Sequence, residues 1–403
     1  MLFPYAHATH ADWRMALAMV LAQLDAQAGK PPYAGQASLG LLYFTEPYVP
    51  HAAALLDELK RRTRVPHWAG CSALAVAANG VEYFDEPALA VMLCDLPDDA
   101  VRVFSGIAPL PRGIAHTALL HGDSATPDVD DLVAELAERT ATGYCFGGLA
   151  SGRSRAVSIA DGVHEGGLCG AAFTDAVTLI SRVTQGCQPV GASRSITYAN
   201  GNVVYTLDGQ PALPLLYQDL KIATADPRKA VQKLRGVMVG LSRALHDATA
   251  RPGQFGAETV VRHLIGIDPQ GNGLAIADVP VAGMQLAFCR RDREAARRDL
   301  IRICTEIREE LAPADALLHA PAYAPMLHAG LDAPEGAPTE RKIRGAVLVS
   351  CSGRGGPHFG APHAELQLVR QYLGDVPLVG FYAAGEIARG NLYGYTAVLT
   401  VFV

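Results

Sequence analysis

Two stretches far apart in the chain share one layout, and that layout limits the folds available more than any other feature. "VPHWAGCSALAVAANG" (65–80) and "VPLVGFYAAGEIARG" (376–390) both open on Val-Pro, place a glycine four or five residues later and close on Ala-x-Gly. Each follows an apolar run and an amphipathic stretch. In the first copy these are "SLGLLYF" (38–44) and "YVPHAAALLDELKRRT" (48–63), with Leu55, Leu56 and Leu59 on one helical face. In the second they are "GAVLVSCS" (345–352) and "APHAELQLVRQYLG" (361–374). Each is followed by a further strand-like run, "ALAVMLCDL" (88–96) or "YTAVLTVFV" (395–403). The pattern predicts a repeated β-α-β-turn-β unit. A third relative is visible in "GYCFGGLASGRSRAVSIADG" (143–162) and "GLCGAAFTDAVTL" (167–179).

The expected fold is α/β: two related lobes, pseudo-duplicated, with mixed β-sheets flanked by helices and the site in the cleft between them. Half of the 403 residues are hydrophobic and 18% are charged, enough to bury a large core. At this length more than one domain is expected. The middle reads as mostly β, with a D-G turn in "NVVYTLDGQPAL" (202–213) and strands joined by D-P-Q-G-N-G in 260–290. A helix is expected over 292–312, a mobile surface loop over 328–345 and a linker at "TADPRKAV" (224–231). The resulting division is an N-terminal helical segment (1–36) and two domains (37–224 and 225–403).

Composition narrows the function. The net charge is -6, against a general nucleic-acid binder. The basic run Arg290, Arg291, Arg293, Arg297 and Arg298 is interleaved with acids and reads as a solvated helix face. No run of about 18 uninterrupted apolar residues occurs, so no membrane partner is expected. The N-terminal apolar stretch lacks a basic flank; Asp12 is a fitting N-cap for a helix of the mature protein. Eight scattered cysteines without C-x-x-C indicate reduced, buried thiols and a cytoplasmic location.

The candidate site centres on "VSCSGRGGPHFG" (349–360). A glycine-rich turn directly after a buried strand lets backbone N–H groups face an anion. Here Cys351, Ser352, Gly353 and Arg354 form one wall, with His358 and Phe359 behind them. Arg354 has two readings, a bidentate grip on a ligand carboxylate or phosphate, or a salt bridge within the turn. Cys351 has three: an inert buried thiol, a thiolate activated by Arg354 or His358, or a haem or metal ligand. His358 and His363 are poorly spaced for a metal, and none is expected. "GFYAAGEIARGNLYGYT" supplies the second wall, with Tyr382, Glu386 and Tyr393 lining the space. Glu386 needs a partner in so apolar a segment, either Arg354 or a ligand ammonium. Cys71 and Ser72 occupy the duplicated turn in the first copy.

Together these stretches resemble the FIST proteins (F-box and intracellular signal transduction). The resemblance rests on "WAGCSALA", "TQGCQPVGAS" and "ITYANGNVVYTLDGQPAL" in the first half, and on "VLVSCSGRG", "HFG", Glu365, "VPLVGFYAAGEIA" and "YGYT" in the second. It implies paired FIST-N and FIST-C domains and a sensory module for small ligands such as amino acids. Some bacterial members resemble haem-dependent nitric oxide sensors, so haem is the cofactor the resemblance brings in; no residue here is assigned to it. With no room left for an output domain, a signal would pass to a separate protein. An enzyme built on Cys351, His358 and Glu386 is the remaining alternative. Ligand identity and oligomeric state are left open by the sequence.

Overall fold

A computed structural model describes residues 1–222, 233–234, 236–243, 255, 259–312 and 341–403. The expected linker at 224–231 and most of the expected loop at 328–345 lie outside the described residues.

The first unit comprises β1 (Tyr5–Thr9), α1 (Trp13–Gln27), β2 (Leu39–Thr45), α2 (Ala52–Thr63), β3 (His67–Ala73), β4 (Ala75–Ala78), β5 (Val81–Phe84) and β6 (Ala88–Cys94). The second runs through β7 (Val101–Phe104), β8 (Thr117–Asp123), α3 (Val129–Glu138), β9 (Cys145–Ala150), β10 (Ser158–Ala160), β11 (Val163–His164) and β12 (Leu168–Phe173). The third opens with β13 (Leu179–Val183) and is then interrupted by an insert. The insert holds β14 (Cys187–Pro189), β15 (Arg194–Asn200), β16 (Val203–Leu207), β17 (Gln210–Pro211), α4 (Ala212–Asp219), β18 (Val237–Ser242), β19 (Val260–Asp268), β20 (Gly273–Ile276) and β21 (Gln285–Arg291). The third unit resumes with α5 (Arg293–Leu311), β22 (Gly345–Cys351), α6 (Ala364–Leu373), β23 (Leu378–Ala383), β24 (Gly385–Arg389), β25 (Asn391–Tyr393) and β26 (Ala397–Phe402).

The three units form three sheets of one design. Their orders are β1-β6-β2-β3-β10-β11, β7-β12-β8-β9-β24-β25 and β13-β26-β22-β23-β4-β5. In each, four strands come from one unit, and the last two are a hairpin lent by another. The first unit lends β4–β5 to the third, the third lends β24–β25 to the second, and the second lends β10–β11 to the first. The exchange closes into a ring. The expected duplication is therefore present, with the same strand order around Gly70 and Gly380, and the 143–179 stretch completes a set of three.

One parallel pair sits at the heart of each sheet, and one glycine sits at the same place in each. Gly70 lies opposite Leu42, Gly147 opposite Leu120 and Gly380 opposite Leu348. A Cβ at these glycines would stand 1.8, 2.0 and 1.9 Å from the Leu42, Leu120 and Leu348 carbonyl oxygens. No side chain fits so close a backbone approach, which is why the glycine recurs.

The inner faces of the sheets share a core of Tyr43, Cys71, Leu119, Phe146, Val349, Phe381 and their neighbours. Tyr43 stacks on Phe381 with centroids 5.0 Å apart and meets His121 across 3.2 Å. Burial holds the His121 imidazole neutral, its pKa pushed down to about 3. The outer face of the first sheet is covered by α1 and α2, and that of the third by α5 and α6. Asp12 caps α1 as expected, accepting the Arg14 N–H at 2.9 Å. The basic run at 290–298 differs from its reading as one helix face. Arg290 and Arg291 close β21, and the helix begins only at Arg293, because Asp292 caps it by accepting the Ala295 N–H at 2.6 Å.

Candidate functional site

Strand β22 is buried along its whole length and ends at Cys351, at the carboxyl edge of the third sheet. Such edges in α/β sheets are natural ligand crevices. The chain then turns tightly. The Ser352 N–H donates to the Ala383 carbonyl at 2.9 Å, and the Arg354 N–H to the Cys351 carbonyl at 2.8 Å. These bonds drive the Arg354 side chain inward, where it is fully buried.

Arg354 meets Glu365, not Glu386. Its Nε and Nη2 donate to Glu365 Oε1 at 3.1 and 2.9 Å, and Nη1 reaches the Tyr395 carbonyl at 3.3 Å. The guanidinium lies 5.2 Å from the Phe359 ring centroid. Glu365, in the first turn of α6, also accepts the Ser350 hydroxyl at 2.8 Å. The ion pair is thus complete within the protein, so the salt-bridge reading of Arg354 holds, with a different carboxylate.

Two more carboxyl groups are buried nearby. Glu386 Oε2 accepts the Thr396 N–H and hydroxyl at 3.0 and 2.9 Å, while Oε1 makes no close hydrogen bond and the Cys351 thiol interacts with the carboxyl group. Burial pushes its carboxyl up to about 8, against the pull of Thr396 and Arg354. Glu82, on the lent hairpin β4–β5, uses Oε2 to accept the Gly356 and His363 N–H groups at 3.0 and 3.2 Å. Its Oε1 and the buried Tyr382 hydroxyl make no close hydrogen bond, but the two side chains interact with one another. Burial first, and then the Glu365 charge, raise the Glu82 carboxyl above its ordinary range.

Cys351 sits beside this cluster. Burial, and then Glu386, push its thiol up to about 12, although the Gly353 and Tyr395 N–H groups face the sulfur. The activated-thiolate reading therefore has no electrostatic support. His358 is half-buried at the rim. Burial and the cations Arg291, Arg354 and Arg293 push it down to about 4, so the imidazole is neutral at physiological pH. Arg291 hydrogen-bonds the Gly353 carbonyl and lies over the Tyr395 ring at 4.9 Å.

Of the residues singled out in the sequence, Cys351, Ser352, Gly353, Arg354, His358 and Phe359 form one continuous turn, with Tyr382 beneath it and Glu386 at its side. Tyr393 is the cross-strand partner of Glu386. Cys71 and Ser72 belong to the first sheet. Cys71 is in the shared core, and the Ser72 hydroxyl accepts the Val157 N–H at 2.9 Å. Residue-by-residue reading missed Glu82, Arg291 and Thr396. Glu82 was hidden by the hairpin exchange, which carries it from one unit to the edge of another. A separate polar cleft of about 520 Å³ lies where α3, the insert and the β24–β25 turn meet; Asp130, Arg262, Asp278 and Arg389 line it.

At Gly355 the turn packs against aromatic side chains. A Cβ at Gly355 would stand 2.1 Å from Phe84 and 2.7 Å from Tyr382, so aromatic side chains already fill its inner face. Among the described residues, no cluster of three or more His, Cys, Asp or Glu side chains is arranged to hold a metal ion.

Family models match this architecture across nearly the whole chain, the FIST N domain over residues 38–210 and the FIST C domain over 212–389. The chain belongs to the FIST family. FIST domains are associated with sensing in signal transduction. An uncharacterised protein of Mycobacterium tuberculosis is 29% identical over 401 residues, 95% of each chain. An uncharacterised protein of Mycobacterium bovis is 28% identical over 397 residues, covering 94% of this FIST chain and 92% of its own length. The two FIST segments are interlocked, since β4–β5 from the first completes a sheet of the second and β24–β25 does the reverse. No helix among the described residues is long and apolar enough to cross a membrane.

Proposed function

We propose that this FIST chain is a sensory protein that binds a small polar ligand at the carboxyl edge of the third sheet and signals through a separate protein. The observation that carries this reading is the buried Glu386 carboxyl, whose Oε1 makes no close hydrogen bond, beside an ion pair that is already complete. Buried polar atoms are normally hydrogen-bonded, and leaving one unpaired costs about 1–3 kcal/mol. A donor-rich group relieves that cost. Arg354 is neutralised by Glu365, and burial keeps Glu386 protonated near neutral pH; an ammonium beside it would favour loss of that proton and give the resulting carboxylate its donor. Arg291 at the rim supplies a cation for a carboxylate. An amino acid combines both groups and is the ligand class the arrangement favours.

The test is native mass spectrometry of freshly purified protein, followed by thermal-shift titration with amino acids, matched amines and matched carboxylic acids. Amino acids and amines should raise the melting temperature, carboxylic acids should not, and Glu386→Gln should abolish the response while keeping the fold. A response to carboxylic acids alone, or one unchanged in Glu386→Gln, would overturn the reading.

A further inference from the structure

Outside the Arg354 cluster, the insert holds a pair of thiols that the proposed function does not use. Cys187 lies on the edge strand β14 and Cys289 on its neighbour β21. In their antiparallel register Cys187 is opposite Arg291 and Pro189 is opposite Cys289. The two cysteines therefore project from the same face as diagonal neighbours. Both side chains belong to one buried cluster with Met238 and Val261, packed against Phe255 and Tyr395. All eight cysteines of the chain are free, buried thiols.

We propose that Cys187 and Cys289 are an oxidation site, a dithiol that peroxide converts to a reversible disulfide. Cys187 starts the reaction because it lies on a three-residue edge strand that, among the described residues, is paired on one side only. Its sulfur, once deprotonated, attacks the peroxide O–O bond, giving a sulfenic acid and one water. The Cys289 sulfur then attacks the sulfenic sulfur, the S–S bond forms, and a second water leaves. Two thiols lose two electrons and two protons, and hydrogen peroxide is reduced to two waters.

The bond would be felt at the neighbouring strand edge. Gly186, next to Cys187, is wedged against the candidate site. A Cβ there would stand 2.0 Å from the Tyr395 carbonyl and 2.9 Å from Arg354 Nη1. The Gly186 carbonyl also accepts the Asp292 N–H at 3.2 Å, in the residue that caps α5. Diagonal cysteines need the edge strand to shift as they close, and Gly186 has no free space in which to absorb a shift.

Peptide mapping of the full chain after hydrogen peroxide treatment tests the proposal. The expected result is one linked peptide joining Cys187 to Cys289, dithiothreitol-reversible, with the other six cysteines still thiols. The link should vanish in both Cys187→Ser and Cys289→Ser. In the wild type, hydrogen exchange at 351–356 should change on oxidation and recover on reduction. Three outcomes overturn the proposal. They are a chain that stays all-thiol at a peroxide dose that oxidises a short cysteine peptide, links that join other cysteines, and oxidation of Cys187 to sulfinic acid without a link. Because the wild-type map alone decides among these, a variant that fails to fold does not cloud the result.

Discussion

The carboxyl ends of the parallel strands in the first and third sheets are built on the same scaffold, yet they are filled in opposite ways. By register, Thr45 in the first sheet corresponds to Cys351 in the third, and Ser72 to Tyr382. In the first sheet every polar group there is used locally. Thr45 Oγ1 accepts the Ala88 N–H at 2.8 Å, and Ser72 accepts the Val157 N–H at 2.9 Å. The carboxylate of Glu46 stays near solvent and accepts the Arg153 and Ser154 N–H groups. In the third sheet the same position holds a buried arginine, three buried glutamate side chains and a protonated thiol. The scaffold folds without buried charge at its first edge, so the fold does not require the charge at its third. The internal repeat thus serves as its own control, separating what the architecture needs from what has been added to it.

The most disruptive way to break this comparison is at the three equivalent glycines. Gly70→Ala, Gly147→Ala and Gly380→Ala each force a Cβ to within 2.0 Å of a backbone oxygen, and each should abolish the cooperative thermal transition seen by circular dichroism. A folded Gly380→Ala beside an unfolded Gly70→Ala would end the claim that the scaffolds are the same. Next comes Arg354→Met, which strands Glu365 without its cation. Breaking a buried pair costs about 3–5 kcal/mol, measurable as a lowered urea midpoint. Arg354→Met combined with Glu365→Leu should regain most of the loss, and Arg153→Met at the first edge should leave the midpoint unchanged.

A smaller and more telling effect is expected with pH. Glu386 is held up at about 8 in the fold against an ordinary 4.5. Between those values the folded state keeps a proton that the unfolded state has lost. Stability therefore falls as pH rises through this window, by at most about 1.4 kcal/mol per unit. Glu386→Gln should flatten that slope in urea titrations at a series of pH values, and an unchanged slope would remove Glu386 as its source. The smallest effect is at the first edge. Ser72→Ala leaves only the Val157 N–H without an acceptor, so a loss of about 1–3 kcal/mol is expected, the same at pH 5 and pH 8.

Much of the fold was legible in the sequence because its governing constraint is local. The recurring Val-Pro…Gly layout reports a backbone approach that only glycine tolerates, and apolar runs such as "SLGLLYF" and "GAVLVSCS" are buried on both faces. The turn bearing Cys351 and Arg354 was legible for the same reason. Their partners were not. Glu365 was visible as part of a motif, but nothing in its spacing marked it as the carboxylate for Arg354. Glu82 is brought to the site by a hairpin from another unit, and Arg291 by the insert. Long-range placement of this kind leaves no periodicity behind.

The ring of lent hairpins also sets an order of events at the ribosome. Strand β4 pairs with β23, so Ala78 finds its partner only when Val379 has been made. At about 5–20 residues per second, synthesis of the intervening chain takes roughly 15–60 s. Throughout that interval the hairpin β4–β5 has no sheet to join and leaves an apolar strand edge open. Newly made chains thus pass through a stage in which the first-made part of the protein depends on holding factors or on speed of synthesis. The last strands to emerge are the ones that end this dependence.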